Sequence, residues 1–266
     1  MTASLEAIRS ELDAAVGSAE PGLAAANQLC AACVGLFGID GAAVSTVYEG
    51  AAQWTFGSSS ESSRRLDEYQ FTFGEGPCID AVASRKAVLV PDLGAQHERR
   101  WPVFAEAMLG AGFRSVFALP IVVGARCVGA LDLFRAAPGP LQRDELAGAV
   151  LAADFAARSL LDLLAPGALD RDRDHLEARD DRNRDGSRQD SMYEGRSDEM
   201  DLKRVEIYQA TGMLIHQLGV DPAQAVARLR AHAMATNQTA SQVAFAIIEH
   251  RLVLERDDHN IVEGGT

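Results

Sequence analysis

Cysteine is scarce, with four in 266 residues. That is too few to staple a chain of this size into a disulfide scaffold, so a reducing compartment, the cytoplasm, is expected. Long apolar runs are missing too. None approaches the roughly 18 residues that cross a bilayer. Glu6, Arg9, Glu11 and Asp13 interrupt the N-terminal stretch that an export signal would need. No membrane partner is expected. Positive charge is also short: 25 Lys and Arg stand against 38 Asp and Glu, a formal net charge of −13. Such a field repels phosphate and argues against a protein that coats nucleic acid, while leaving room for a local site. An apolar fraction of 47% excludes wholesale disorder.

The common catalytic signatures are absent. There is no phosphate-cradling glycine loop, no His-Glu-x-x-His helix and no Gly-x-Ser-x-Gly elbow. The histidines are scattered, and His216, His232 and His250 fall one to a predicted helix. That placement reads as polar helix surface rather than a metal site. No metal, cofactor or catalytic residue is identified.

Composition breaks at Pro166. Between Asp170 and Asp190 acids and arginines alternate, with Leu176 as the single large aliphatic residue. Such a stretch buries too little apolar surface to offset its ordering entropy. The interleaved aspartates also cancel the charge that an arginine-rich RNA-binding arm would need. Residues 1–165 are therefore expected to form one domain and 166–198 a charged flexible linker. A second domain is expected over 199–256, and a disordered tail over 257–266.

The first block mixes element types. Leu5, Ile8, Leu12 and Val16 recur at helical spacing over 2–16, and a second helix spans 22–37 before Gly38. Ala42 to Tyr48 and Ala52 to Phe56 read as paired strands, and 87–90 as a short apolar run. Trp101 to Leu109 is a helix with Pro102 in its first turn. Ser115 to Val123 and Arg126 to Phe134 form a hairpin across Gly124-Ala125. A long helix over 141–164 closes the block. This is an α+β pattern, an antiparallel sheet with helices packed on its other face. The apolar faces of the helices at 2–16 and 141–164 either meet a second copy, giving a homodimer, or pack on one another.

The last block shows three helices and no strand. The first runs over 200–217 to Gly219. The second opens at Asp221-Pro222, and the third at Thr239-Ala-Ser-Gln242, a capping-box pattern. Lys203, Arg204, Arg228, Arg230 and Arg251 stand against Asp201, Glu206, Asp221 and Glu249. This block is thus near neutral to slightly basic, and the acid excess belongs to the rest of the chain. It is the one plausible seat for phosphate contact.

Three groups of residues in the first block invite chemistry. Cys30-Ala-Ala-Cys33 is either a redox or metal pair, or two small residues packed in a helix. Cys78 lies in Gly74-Glu-Gly-Pro-Cys78, a turn leading into a short helix. A helix N-terminus lowers a thiol pKa, whereas a buried seat in a tight turn makes the thiol inert. Trp54, Phe56, Phe71, Phe73, Trp101 and Phe117, with Asp80, Asp92 and Arg114, either line a small-molecule pocket or are plain core.

Residues 204–252 resemble an ANTAR domain, the three-helix RNA-binding module named for amidase and nitrate antitermination regulators. The resemblance rests on Arg204, Ile207, Ala210, Gly212 and Leu214 in the first helix. Ala225, Leu229, Arg230 and Ala233 carry it in the second, and Val243 and Ala244 in the third. Thr211 stands where family members often carry lysine. Residues 21–164 resemble a GAF sensor domain, in the form that actinobacteria commonly join to ANTAR. The carrying stretches are Gly74 to Cys78 with Asp80-Ala81, Val90-Pro-Asp92, Trp101-Pro102, Gly112 to Phe117, and Val128-Gly-Ala-Leu-Asp132-Leu.

The resemblance implies a signal-responsive transcription antiterminator, not an enzyme, whose dimer binds paired stem-loops in nascent RNA. Lys203, Arg204, Tyr208, Gln209, Ala210, Thr211, Gly212, Arg228 and Arg230 form its implied RNA-binding set. Tyr208 either stacks on a loop base or fills the core or a dimer seam. A small-molecule signal in the sensor domain would meet Trp54, Phe56, Phe71, Cys78, Asp92, Trp101 and Phe117. Two alternatives stay open: a thiol enzyme that reduces free methionine sulfoxide through Cys78, and a ligand-free dimerising scaffold.

Overall fold

The computed structural model describes residues 4–48, 51–164 and 205–254; for 48, 51–54, 163, 164 and 205 only the backbone is described. The chain divides into two compact units, Met1–Lys203 and Arg204–Thr266. The linker expected over 166–198 and the tail over 257–266 lie outside the described residues.

In the first unit α1 (Leu5–Gly17) and α2 (Leu23–Phe37) precede β1 (Gly41–Tyr48) and β2 (Ala51–Ser58). Next come α3 (Glu61–Phe73), α4 (Pro77–Ser84), β3 (Val88–Val90) and α5 (Pro102–Gly110). The unit ends with β4 (Ser115–Val123), β5 (Arg126–Arg135) and α6 (Arg143–Leu164). All pairings are antiparallel, in the order β2-β1-β5-β4-β3.

Strand alternation assigns the two faces. Ala42, Val44, Phe56, Phe117, Leu119, Ile121, Leu131 and Leu133 join α1, α2 and α6 in one core. Ala43, Val116 and Phe134 join α3 and α5, while Val47 and Ala130 meet Cys78 of α4. Helices therefore cover both faces, where the sequence pattern places them on one.

Ile8 and Leu12 of α1 share their core with Ala149, Ala152 and Ala156 of α6, so these faces meet within the unit. Gly148 lets α6 lie close to α2 and α1, since a Cβ there would sit 2.6 Å from the Phe37 ring and 3.2 Å from Ile8 Cδ1. On α6, Val150 and Leu161 remain exposed.

The sequence pattern assigns no element to 61–73, yet α3 is regular. Ser60 caps it by accepting from the Ser63 amide at 3.1 Å, and Gly74 ends it in the left-handed conformation at φ 68°. Its buried face carries Ser63, Asp67, Glu68, Gln70 and Thr72 beside Leu66 and Tyr69. These polar residues break the apolar stripe that marks a core-facing helix.

Among the described residues the second unit is three helices: α7 (Val205–Leu218), α8 (Pro222–Ala235) and α9 (Ala240–Ile248). Asp221 caps α8 by accepting from the Gln224 amide at 2.8 Å. Thr239 and Gln242 form the expected capping box, at 3.2 and 2.9 Å. Ile207, Ala210, Leu214, Ala225, Leu229, Ala233, Val243, Ala244 and Ile247 are buried. Several are alanine, which lets helix axes approach closely. No described helix is long and apolar enough to cross a membrane.

Candidate functional site

The Gly74-to-Cys78 turn joins three helices. Gly74 ends α3, and Pro77 occupies the first turn of α4. Oε1 of Glu75 accepts from the amides of Val103 and Phe104, at 2.8 and 3.0 Å, and so caps α5. Gly76 has φ 150°, and a Cβ there would collide with the Gln70 side chain. Gln70 Oε1 accepts from the Cys78 amide at 2.7 Å. Each residue of this motif thus has a local structural task.

Beneath the turn lies a closed polar cluster. Thr55 Oγ1 donates to Asp67 Oδ2 at 2.6 Å, and Ser45 Oγ donates to Asp67 Oδ1. Gln70 Nε2 reaches Asp67 Oδ1 at 3.3 Å and Asp132 Oδ2 at 2.9 Å. Asp132 stands on β5 between Ala43 and Ala118 of the adjoining strands. Burial, then the charge of Asp67, pushes its carboxyl well above the usual carboxylate range. Asp67 and Gln70 are absent from the sequence-derived site, because one acid and one amide in an unassigned segment give no signal. Asp132 enters there only within a longer matching stretch.

Of the two readings of Cys78, the structure takes the buried seat rather than the activating helix N-terminus. Burial, then the charges of Asp132 and Asp67, pushes the thiol well above the usual thiol range. A seat with no exposed surface outweighs the dipole of a helix of 8 residues. Cys30 and Cys33 are also free and fully buried in α2. Burial pushes Cys33 up to about 12, and raises Cys30 with help from Cys33. Both cysteines belong to the core.

The aromatic set is not gathered into one place. Phe56 and Phe117 lie in the core under α1, α2 and α6. Trp101 lies in the core on the opposite face, with the Arg100 guanidinium 4.2 Å from its ring centroid. Phe71 is buried on α3. The Trp54 side chain is outside the described residues. Asp92 forms a forked ion pair with Arg114, at 2.9–3.0 Å, and also accepts from the Gly94 amide at 2.9 Å. Desolvation would raise the Asp92 carboxyl, but Arg114 and the Gly94 amide together hold it below its usual value.

In the second unit, α7 sorts the predicted RNA-binding residues into two groups. Tyr208 is 68% exposed, and Gln209 and Gly212 are exposed beside it. His216 continues the stripe four residues beyond Gly212. Ala210 and Thr211 turn the other way and are buried. The Thr211 hydroxyl donates to the Ile207 carbonyl at 2.6 Å, which occupies it within the helix. These two therefore serve the core rather than the exposed face. Arg228 and Arg230 on α8 are half-buried, and Lys203 and Arg204 lie outside the described residues.

An α+β unit is followed along the chain by a compact unit of three described helices. The chain belongs to the GAF domain family, whose model matches residues 23–160, and carries an ANTAR domain at 202–248. The GAF domain is a signal-sensing domain, and the ANTAR domain is an RNA-binding domain of antitermination regulators.

Several solved structures resemble the chain at low identity. The GAF domain of a phosphoenolpyruvate-protein phosphotransferase from Coxiella burnetii has 16% identity and a TM-score of 0.49, over 62% of this chain and 97% of that one. A domain of a sensor histidine kinase protein from Sinorhizobium meliloti has 19% identity and a TM-score of 0.42, over 54% and 92%. The free methionine-R-sulfoxide reductase of Neisseria meningitidis has 16% identity and a TM-score of 0.46, over 60% and 95%. No curated protein matches the chain.

Proposed function

We propose that this protein is a cytoplasmic, signal-responsive antiterminator whose ANTAR domains, paired in a homodimer, bind two adjacent stem-loops of a nascent transcript. The exposed face of α7 is the observation that carries this reading. Tyr208 is 68% exposed although it lies on a helix whose other face is core. A free aromatic beside small and amide side chains suits stacking on a loop base splayed from its stem. Gly212 adds to this. A Cβ at Gly212 would meet nothing within 4 Å, and its φ is not in the left-handed region. Neither packing nor backbone geometry requires glycine there, although mid-helix glycine costs about 1 kcal/mol relative to alanine. A bare backbone next to Tyr208 lets a nucleotide approach closely. Arg228 and Arg230, with Lys203 and Arg204, supply phosphate contacts.

Regulation rather than catalysis fits the cysteines. A thiol reductase needs an accessible thiolate, and burial holds Cys78 in the thiol form. A ligand-free, dimerising sensor is a second reading, favoured by the closure of the Asp67–Asp132 cluster with the domain's own side chains.

Gel-shift titration of the full chain against a two-hairpin leader RNA tests the main reading. Salt-sensitive binding that needs both hairpins is expected. No binding at low salt, with and without cell extract, overturns it.

A further inference from the structure

The buried polar cluster has a feature that packing alone leaves unexplained. Asp67 accepts three hydrogen bonds, from Ser45, Thr55 and Gln70, the arrangement an ionised carboxylate takes. Asp132 accepts from the same Gln70 amide at Oδ2 and faces the Asp67 carboxyl and the Cys78 thiol, while its Oδ1 has no hydrogen-bond partner among the described residues. Two carboxyl groups thus share one amide in a site where both are at most 2% exposed. Two such neighbours resist ionising together, because burial removes the water that would screen them.

We propose that Asp67 and Asp132 hold a single proton between them, resident on Asp132, and that its loss to solvent releases α3 and α4 from the sheet as a proton-operated latch. The donor count places the proton. Asp67 has three donors already and can accept a fourth bond, whereas Asp132 has a single amide donor, so a proton on Asp132 is the one that can be directed at the Asp67 carboxylate. The closure of the site selects a proton over anything larger. Gln70, Cys78 and Asp132 show no exposed surface, so a bulkier ligand enters only after α3 or α4 has moved. The link to movement is Gln70. Its Nε2 holds both carboxyls, and its Oε1 holds the Cys78 amide in the first turn of α4. A second charge on Asp132 is relieved by water, and water reaches it only when that cover lifts.

Other titratable groups surround the pair. On α3, Arg64 precedes Asp67 by one turn and pairs with Glu61 at 3.9 Å, and Glu68 is a further acid. On α4, burial keeps Cys78 in the thiol form. β1 and β2 contribute Ser45 and Thr55, and Ala43 and Ala118 flank Asp132. Cys127 on β5 and Cys30 on α2 both have thiols raised by burial.

This inference does not rest on the RNA reading, and its test uses no RNA. Infrared spectroscopy of the full chain should show the carbonyl stretch of a protonated carboxyl group at neutral pH. The band should vanish on raising the pH. It should be missing from Asp132→Asn; in Asp67→Asn, the second variant if Asp132→Asn does not fold, it should titrate at lower pH than in the parent. Over the same pH interval, amide exchange at Cys78 and along α4, corrected for chemical exchange rates, should accelerate at least tenfold in the parent. In Asp132→Asn it should stay flat, and in Asp67→Asn, where burial still raises Asp132 but the charge of Asp67 is gone, the acceleration should move to lower pH. No band in the folded parent at pH 6–7 overturns the shared proton. A band that titrates without faster α4 exchange overturns the latch.

Discussion

The Cys78 amide donates to the side-chain oxygen of Gln70 at 2.7 Å, tying the first turn of α4 to α3. The same Gln70 side chain bridges Asp67 and Asp132. Gln70→Leu therefore leaves three buried groups short of a partner. A loss of about 2–4 kcal/mol is expected from urea denaturation of the first unit's transition, since a buried unsatisfied group costs about 1–3 kcal/mol. A loss below about 1 kcal/mol would show that water or repacking replaces Gln70.

Stability should depend on pH in two opposite windows. Asp132 has a raised folded pKa, so its contribution is complete below the ordinary carboxyl value of about 3.9. That contribution is lost as pH rises through the raised value. Asp92 is lowered, so its contribution is present above the ordinary value and lost as pH falls. Denaturation midpoints measured from pH 4 to 9 should decline toward high pH in the parent relative to Asp132→Asn. Parallel curves would contradict the assignment.

Arg114 and Asp92 form an ion pair in partial contact with solvent, with side chains 45% and 28% exposed. Asp92→Asn should cost no more than about 1 kcal/mol at pH 7, as exposed pairs do. The cost should shrink further at pH 3, because acid works against the carboxylate charge that pairs with Arg114. Urea melts at the two pH values read both.

Glu75 caps α5 across 28 residues of sequence. Glu75→Ala should destabilise by about 0.5–2 kcal/mol, the usual cost of losing a helix cap. Glu75→Gln, which keeps an acceptor oxygen, should recover most of it. Thermal melts of the three proteins make the comparison.

Gly212→Ala separates stability from binding. The exposed mid-helix position should gain about 1 kcal/mol in the three-helix unit, while RNA affinity falls. Tyr208→Ala should weaken RNA binding by about 1–3 kcal/mol, the cost of one stacked base, with little change in stability. Gel-shift titrations paired with melts measure both. A Tyr208→Ala variant that binds as tightly as the parent would remove the stacking role.

The three ANTAR helices are legible in the sequence because their signals are local. Asp221-Pro222 starts α8 and Thr239 with Gln242 starts α9, each through bonds spanning a few residues. The β4–β5 hairpin is legible for the same reason. α3 is not, because its buried face is built from Asp67, Gln70 and Thr72, which pattern as surface until the sheet is placed beneath them. The candidate RNA face is half legible. Tyr208, Gln209 and Gly212 are exposed as a binding face needs, but Ala210 and Thr211, their neighbours in sequence, are turned inward by the 3.6-residue period.

By itself the sequence determined the two-unit division, the antiparallel α+β pattern and the caps of α8 and α9, since composition breaks, strand alternation and those capping bonds act over short spans. The tertiary structure decided what the chemistry-bearing residues do. It buried Cys78 and so reversed the pKa shift that its position at a helix start implies. It also brought Asp132 to the Gln70 amide that holds Asp67, across 62 residues of sequence separation. Burial and proximity of distant side chains arise only when helices close over a sheet, and they control charge more strongly than any local motif.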